Sequence, residues 1–145
     1  LTAGAAVAAA APAGTRTLSF RESDAGSRFH IIDEAPMSTS HAEPTASLGD
    51  QVVLTIPLLK GKRVVGAIHG TCMITAPRRT FEDSTSLCRT AAVLRGGQIV
   101  FEGVLRGGTP TFAITGGTGA YAGARGTFTS REQRGGAVDT FVLLP

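Results

Sequence analysis

A chain of 145 residues is long enough to bury one core and short for two. Nineteen glycines, seven prolines and no tryptophan suit a turn-rich all-β chain. The formal charge of +3 comes from basic residues scattered along the chain (Arg16, Arg28, Lys60, Lys62, Arg78, Arg95, Arg134), without the concentrated stripe of a nucleic-acid binder.

Residues 1–14 form an alanine-rich apolar run, too short and too weakly hydrophobic to span a bilayer. Ala11-Pro12-Ala13 before Gly14 reads as a small-residue cleavage site behind an h-region. That makes the run a signal-peptide remnant and implies a secreted or extracytoplasmic bacterial protein; a disordered alanine-rich leader is the alternative. A single β domain is expected over 15–145.

Residues 17–24 alternate as a first strand, with Leu18 and Phe20 on one face and Ser19 and Arg21 on the other. Residues 28–33 form a short second strand. Residues 34–48 show no periodicity and are a candidate lid over a barrel mouth, or a plain surface loop. In 51–59, Val52, Leu54 and Ile56 share a face. The long strand 63–75 carries Gly66 and Gly70, which mark the bends a closing sheet needs. Strands 85–94, 98–106 and 111–115 follow, with Ile99, Phe101 and Leu105 sharing a face of the second. The glycines of 112–126, FAITGGTGAYAGARG, read as a tight reversal into 122–132, and 137–144 closes the chain. About eight strands with short turns and no amphipathic helix predict a closed antiparallel eight-stranded up-and-down β-barrel. A β-sandwich is the competitor, because alternation alone does not separate the two.

Cys72 and Cys88 fall on adjacent strands. A connection centred near Thr80 sets them opposite each other, with Cα atoms ~4.5–5.5 Å apart and within disulfide reach. A disulfide is expected in an exported chain, with two buried thiols as the alternative. His30, His41 and His69 lie on different elements without HxH or HExxH spacing, so no metal and no cofactor is expected. The glycine turn lacks the Lys-Ser/Thr ending of a phosphate loop, and no GxSxG elbow occurs. An eight-stranded barrel holds packed side chains or one small ligand. Val52, Leu54, Ile56, Ile68, Ile99, Phe101 and Leu105 are expected to line it. Ser19, Arg21, Tyr121 and Arg125 are the polar groups expected to orient a ligand there. Outward orientation is the competing reading for both arginines, and turn packing for Tyr121.

The stretch 112–126 resembles the GGTG turn of the allene oxide cyclase and dirigent barrel superfamily. Leu48-Gly49-Asp50, the run from Val65 to Cys72, the run from Gly97 to Gly103 and the final Thr140-Phe141-Val142-Leu143 follow the same family order. The resemblance covers roughly 17–144 and implies the barrel fold. The cyclases carry a Glu and then an Asn on the first strand, where Ser19 and Arg21 fall here; Ile56 replaces another polar Asn, and Cys72 matches a cavity-lining Cys. Arg125 lies in an Ala-Arg-Gly segment similar to that of dirigent proteins.

The resemblance thus implies a stereocontrolling cyclase or isomerase that folds a small hydrophobic metabolite, polyketide-, polyene- or lipid-derived, with Arg21 or Tyr121 polarising an oxygen. The alternatives are an exported non-catalytic binding or structural barrel, and dirigent-like control of radical or quinone-methide coupling. The expected partner is a small hydrophobic ligand, with no nucleic acid and no stable membrane span. Analogy adds a homo-oligomer. A cavity of a few hundred Å³ would favour the cyclase, and a filled interior the structural barrel.

Overall fold

The computed structural model describes residues 14–40 and 44–145. Residues 1–13 of the expected 1–14 leader, and His41, lie outside the described residues. The strands are β1 (Arg16–Glu22), β2 (Arg28–Ile32), β3 (Gln51–Lys60), β4 (Arg63–Ala76), β5 (Thr85–Leu94), β6 (Gly97–Leu105), β7 (Thr111–Gly117), β8 (Gly126–Gln133) and β9 (Gly136–Leu143). All neighbours are antiparallel in one sheet ordered β1-β9-β8-β7-β6-β5-β4-β3-β2, and β1 also pairs with β3. That last pairing closes the barrel and removes the sandwich.

Nine segments fill eight barrel positions because β1 and β2 share one edge of β3. Arg21 and Glu22 pair with Leu59 and Leu58, whereas Arg28 to Ile32 pair with Thr55 to Gln51. Between them the chain leaves the sheet through a 3-10 turn at Asp24–Gly26. Pro57 of β3 faces this gap, the place where a residue without an N–H costs the sheet least. Gly26 packs against it so closely that a Cβ there would stand 3.0 Å from the proline ring.

Alternation fills the interior. Ala137, Asp139, Phe141 and Leu143 of β9 are buried, as are Ser86, Cys88, Thr90, Ala92 and Leu94 of β5. Phe20, Phe101, Phe112, Phe128 and Phe141 join in an aromatic plug, with Phe101 centred 4.2 Å from Phe128 and 5.3 Å from Phe141. Fully buried Leu58 and Ile99 complete it. Such a plug buries large apolar surface and so helps to hold a small barrel closed.

Two loops depart from the sequence expectation. The glycine-rich connection is not a tight reversal: β7 runs through Gly117, a 3-10 turn follows at Gly119–Tyr121, and β8 begins only at Gly126. Gly119 takes φ +60°, but Gly117 is needed for close approach instead, since a Cβ there would lie 2.9 Å from that of Tyr121. The described part of the irregular stretch before β3 is anchored to the barrel. Fully buried Asp50 accepts hydrogen bonds from the Glu34 N–H (2.7 Å), the Ser47 N–H (2.7 Å) and the Ser47 hydroxyl (2.8 Å). Burial works to raise its pKa, but these donors outweigh it and hold the carboxyl below its ordinary value. The Ile74 N–H donates to the Asp50 carbonyl at 2.8 Å, fastening the loop to β4.

Cys72 and Cys88 are directly opposed in the β4–β5 ladder and form a disulfide with Cα atoms 4.0 Å apart. No helix among the described residues is long and apolar enough to cross a membrane.

Candidate functional site

The plug fills only part of the barrel. Beyond it lies a cavity of about 580 Å³, in the range of small-molecule sites. Phe101, Phe112 and Phe128 form its floor, and Leu54, Ile56, Ile68 and Leu105 its apolar wall. The Cys72–Cys88 disulfide lies in the same wall. The rim comes from the β4–β5 loop (Phe81 to Ser84), the β6–β7 loop (Gly107, Gly108 and Pro110) and the β8–β9 turn region (Glu132 and Ala137). None of the described residues between β2 and β3 reaches it.

The expected polar groups are elsewhere. Ser19 and Arg21 are exposed on the outer face of β1, the face opposite Phe20. Tyr121 sits in the β7–β8 connection, half-buried against the core, with the Arg16 guanidinium 5.6 Å from its ring centre. Exposed Arg125 donates to the Pro145 carbonyl. None of these four lines the cavity. Val52 shares the inward face of Leu54 and Ile56 but lies outside the lining, and Ile99 is consumed in the plug.

The polar chemistry of the interior comes instead from two acids, Glu22 and Asp139. β1 turns Leu18, Phe20 and Glu22 to the same face, and Glu22 reaches the cavity. On β9, Asp139 takes an inward position between Ala137 and Phe141, opposite Phe20 of β1 and Ser130 of β8. It is fully buried, and no N–H or O–H of the described residues donates to either of its oxygens with hydrogen-bond geometry. The Glu22 carboxyl and the Ser130 hydroxyl are the groups that interact with it. A carboxylate acid can satisfy another only by holding a proton between them.

Burial sets the protonation. It raises the Glu22 carboxyl, as do the side-chain interaction with Asp139 and repulsion from Asp139 and Asp24, and together they push its pKa up to about 8. Burial also raises Asp139, while the neighbouring Glu22 and Ser130 side chains pull it down. The pair therefore keeps a proton at neutral pH, with Glu22 as the member that faces the cavity. This arrangement can donate a hydrogen bond or a proton to an oxygen or an electron-rich carbon held against the apolar wall.

A sequence signal for both acids existed. Extending the inward alternation of Leu18 and Phe20 by two residues reaches Glu22, and Asp139 interrupts the apolar face of the last strand. Among the described residues, no group of three or more His, Cys, Asp or Glu side chains is placed to hold a metal ion.

No curated protein sequence matches the chain. Solved structures match its fold at low identity. A pyocyanin demethylase superposes with a TM-score of 0.66 at 21% identity, over 88% of this chain and 99% of that one. A pterocarpan synthase dirigent protein gives 0.63 at 18%, over 89% and 82%. The Diels–Alderase AbmU of Streptomyces koyangensis gives 0.63 at 13%, over 91% and 69%. The family model for the allene oxide cyclase barrel-like domain matches residues 33–140, and with the closed barrel around a cavity it shows that this chain belongs to that family.

Proposed function

We propose that the barrel is a stereocontrolling cyclase or isomerase for a small hydrophobic metabolite, polyketide-, polyene- or lipid-derived, with the Glu22–Asp139 pair as its acid. One observation carries the reading: the neighbouring carboxyls of Glu22 and Asp139, both raised by burial, stand at an apolar-walled cavity of about 580 Å³ that Glu22 lines. A flexible substrate confined there loses most of its conformers, which favours one ring closure or one face of attack. The Glu22 O–H donates to a substrate oxygen and draws electron density from the reacting carbons. If the proton transfers, two adjacent carboxylates remain in a buried site, and their repulsion drives its return. Asp139 is a positioning residue that keeps Glu22 protonated. Cyclases and dirigent proteins among the similar folds support a cavity that controls stereochemistry. The disulfide supports action in an oxidising compartment.

Native mass spectrometry of the protein purified from its own host tests the reading. The expected result is a retained hydrophobic small molecule, released on denaturation, that the protein converts and Glu22→Gln binds but does not convert. A retained molecule turned over equally by wild type and Glu22→Gln would remove the acid. Protein that is always empty and takes up no apolar probe would remove the cavity reading.

A further inference from the structure

The strands alternate in direction, so every second connection falls at the same end of the barrel. The β3–β4 turn, the β5–β6 turn, the β7–β8 connection and the start of β1 beside the end of β9 lie at the end opposite the cavity mouth. Basic side chains scattered along the sequence gather there: Arg16, Lys60, Lys62, Arg63, Arg95 and Arg125, all exposed. The segments that build this end, 14–20, 57–66, 94–98, 113–128 and 140–145, contain no Asp or Glu. Among the described residues none of the six forms a salt bridge; the pair found there joins Arg89 to Glu102 at 3.7 Å. The mouth end differs, since Glu82, Asp83 and Glu132 stand there with Arg78, Arg79 and Arg106.

The basic end is closed. Lys60 holds its ammonium 4.9 Å from the ring centre of Phe20 in the aromatic plug, and Arg125 is turned to the Pro145 carbonyl. Its charges therefore serve no cavity, and they act outward as a one-signed field that attracts a polyanionic surface. Apolar side chains protrude among them: Val64 is 62% exposed and Leu144 45%. Cations around protruding apolar tips fit a bilayer interface, where lipid phosphates take the charges and the acyl boundary takes the tips. A single-stranded nucleic acid would call for exposed rings on which bases stack, whereas Tyr121 at this end is half-buried against the core under the Arg16 guanidinium. Gly14 lies against Pro145 here, where a Cβ would stand 3.3 Å from that of the proline, so the uncharged run 1–13 joins the barrel on this side. We infer that the plugged end docks on an anionic bilayer surface and turns the cavity mouth away from it.

Flotation of the full chain with vesicles tests this assignment, comparing equal parts of phosphatidylglycerol and phosphatidylcholine with phosphatidylcholine alone. Wild type is expected to float with the anionic vesicles at low salt, to release them as salt is added, and to leave the neutral vesicles unbound. The triple variant Lys62→Gln, Arg63→Gln, Arg95→Gln is expected to bind anionic vesicles about a hundredfold more weakly, at roughly fivefold for each charge lost. Arg78→Gln, Arg79→Gln, Arg106→Gln at the mouth removes the same net charge and is expected to keep wild-type binding. Equal loss in the two triple variants would make net charge, not this end, the cause and would overturn the inference. Equal binding to neutral vesicles, or no binding to either kind, would overturn it as well. Tighter binding to a DNA duplex than to anionic vesicles at the same salt would assign the end to nucleic acid instead. Should the first triple variant not fold, Lys62→Gln with Arg95→Gln, both in exposed turns, is expected to weaken binding about 25-fold on the same scale.

Discussion

Glu22 and Asp139 each break a rule of barrel interiors, and together they explain why the break is tolerated. Alone, either buried carboxylate would cost several kcal/mol (roughly) or be neutralised by a proton. Paired, they hold a proton, and the site is poised for acid chemistry. Turnover is expected to fall as pH rises through about 8, where Glu22 ionises. Glu22→Gln is expected to lose roughly 10²- to 10⁴-fold in turnover with ligand binding kept. Asp139→Asn replaces repulsion with a donor, so the alkaline limb of the pH–rate profile is expected to move to lower pH; an unmoved limb would remove the positioning role.

The same pair sets a stability trend. Its folded pKa lies above the unfolded value of 4.5, so the folded state binds more protons between that value and about 8. Stability is then greatest at the acid side of this window and falls as pH rises through it. The slope is at most about 1.4 kcal/mol per pH unit for each proton, reduced by the water that reaches partly exposed Glu22. Urea denaturation at both ends of the window reads this slope, and Asp139→Asn is expected to flatten it.

At the level of elements, what the sequence made legible followed from counting. The β4–β5 hairpin, centred near Thr80, places Cys72 opposite Cys88 by symmetry of register, and the structure pairs them. With a sequence separation of 16, breaking this link by Cys72→Ser with Cys88→Ser is expected to cost about 3 kcal/mol in urea denaturation. What counting missed depends on contacts distant in sequence. The interruption between β1 and β2 falls where Pro57 stands in β3, which no local pattern around Asp24–Gly26 announces. The irregular stretch before β3 resembled a lid by composition, yet Asp50 binds it to β4, and the rim is built by shorter loops. Ser19 and Arg21 stand at the family's motif positions, but the alternation of β1 turns them outward.

Across the whole molecule, the barrel divides its interior between a plug that holds it closed and a cavity that holds a ligand. Phe101 belongs to both. Phe101→Ala is expected to cost about 3–5 kcal/mol by urea denaturation while enlarging the cavity and admitting bulkier probes. The division could not be read from the sequence, because plug and cavity residues share the same inward alternation and differ only in depth along the axis. Ile99 and Phe101 stand two residues apart on β6, and one is lost to the plug while the other forms the cavity floor.

Carbon-13 NMR of the glutamate side-chain carboxyls, with the Glu22 signal assigned by Glu22→Gln and followed from acid to alkaline pH, reads directly whether the acid that faces the cavity holds its proton at neutral pH. A Glu22 midpoint near 8 is expected, falling toward the ordinary value in Asp139→Asn. A midpoint near 4.5 in the wild-type protein would contradict it.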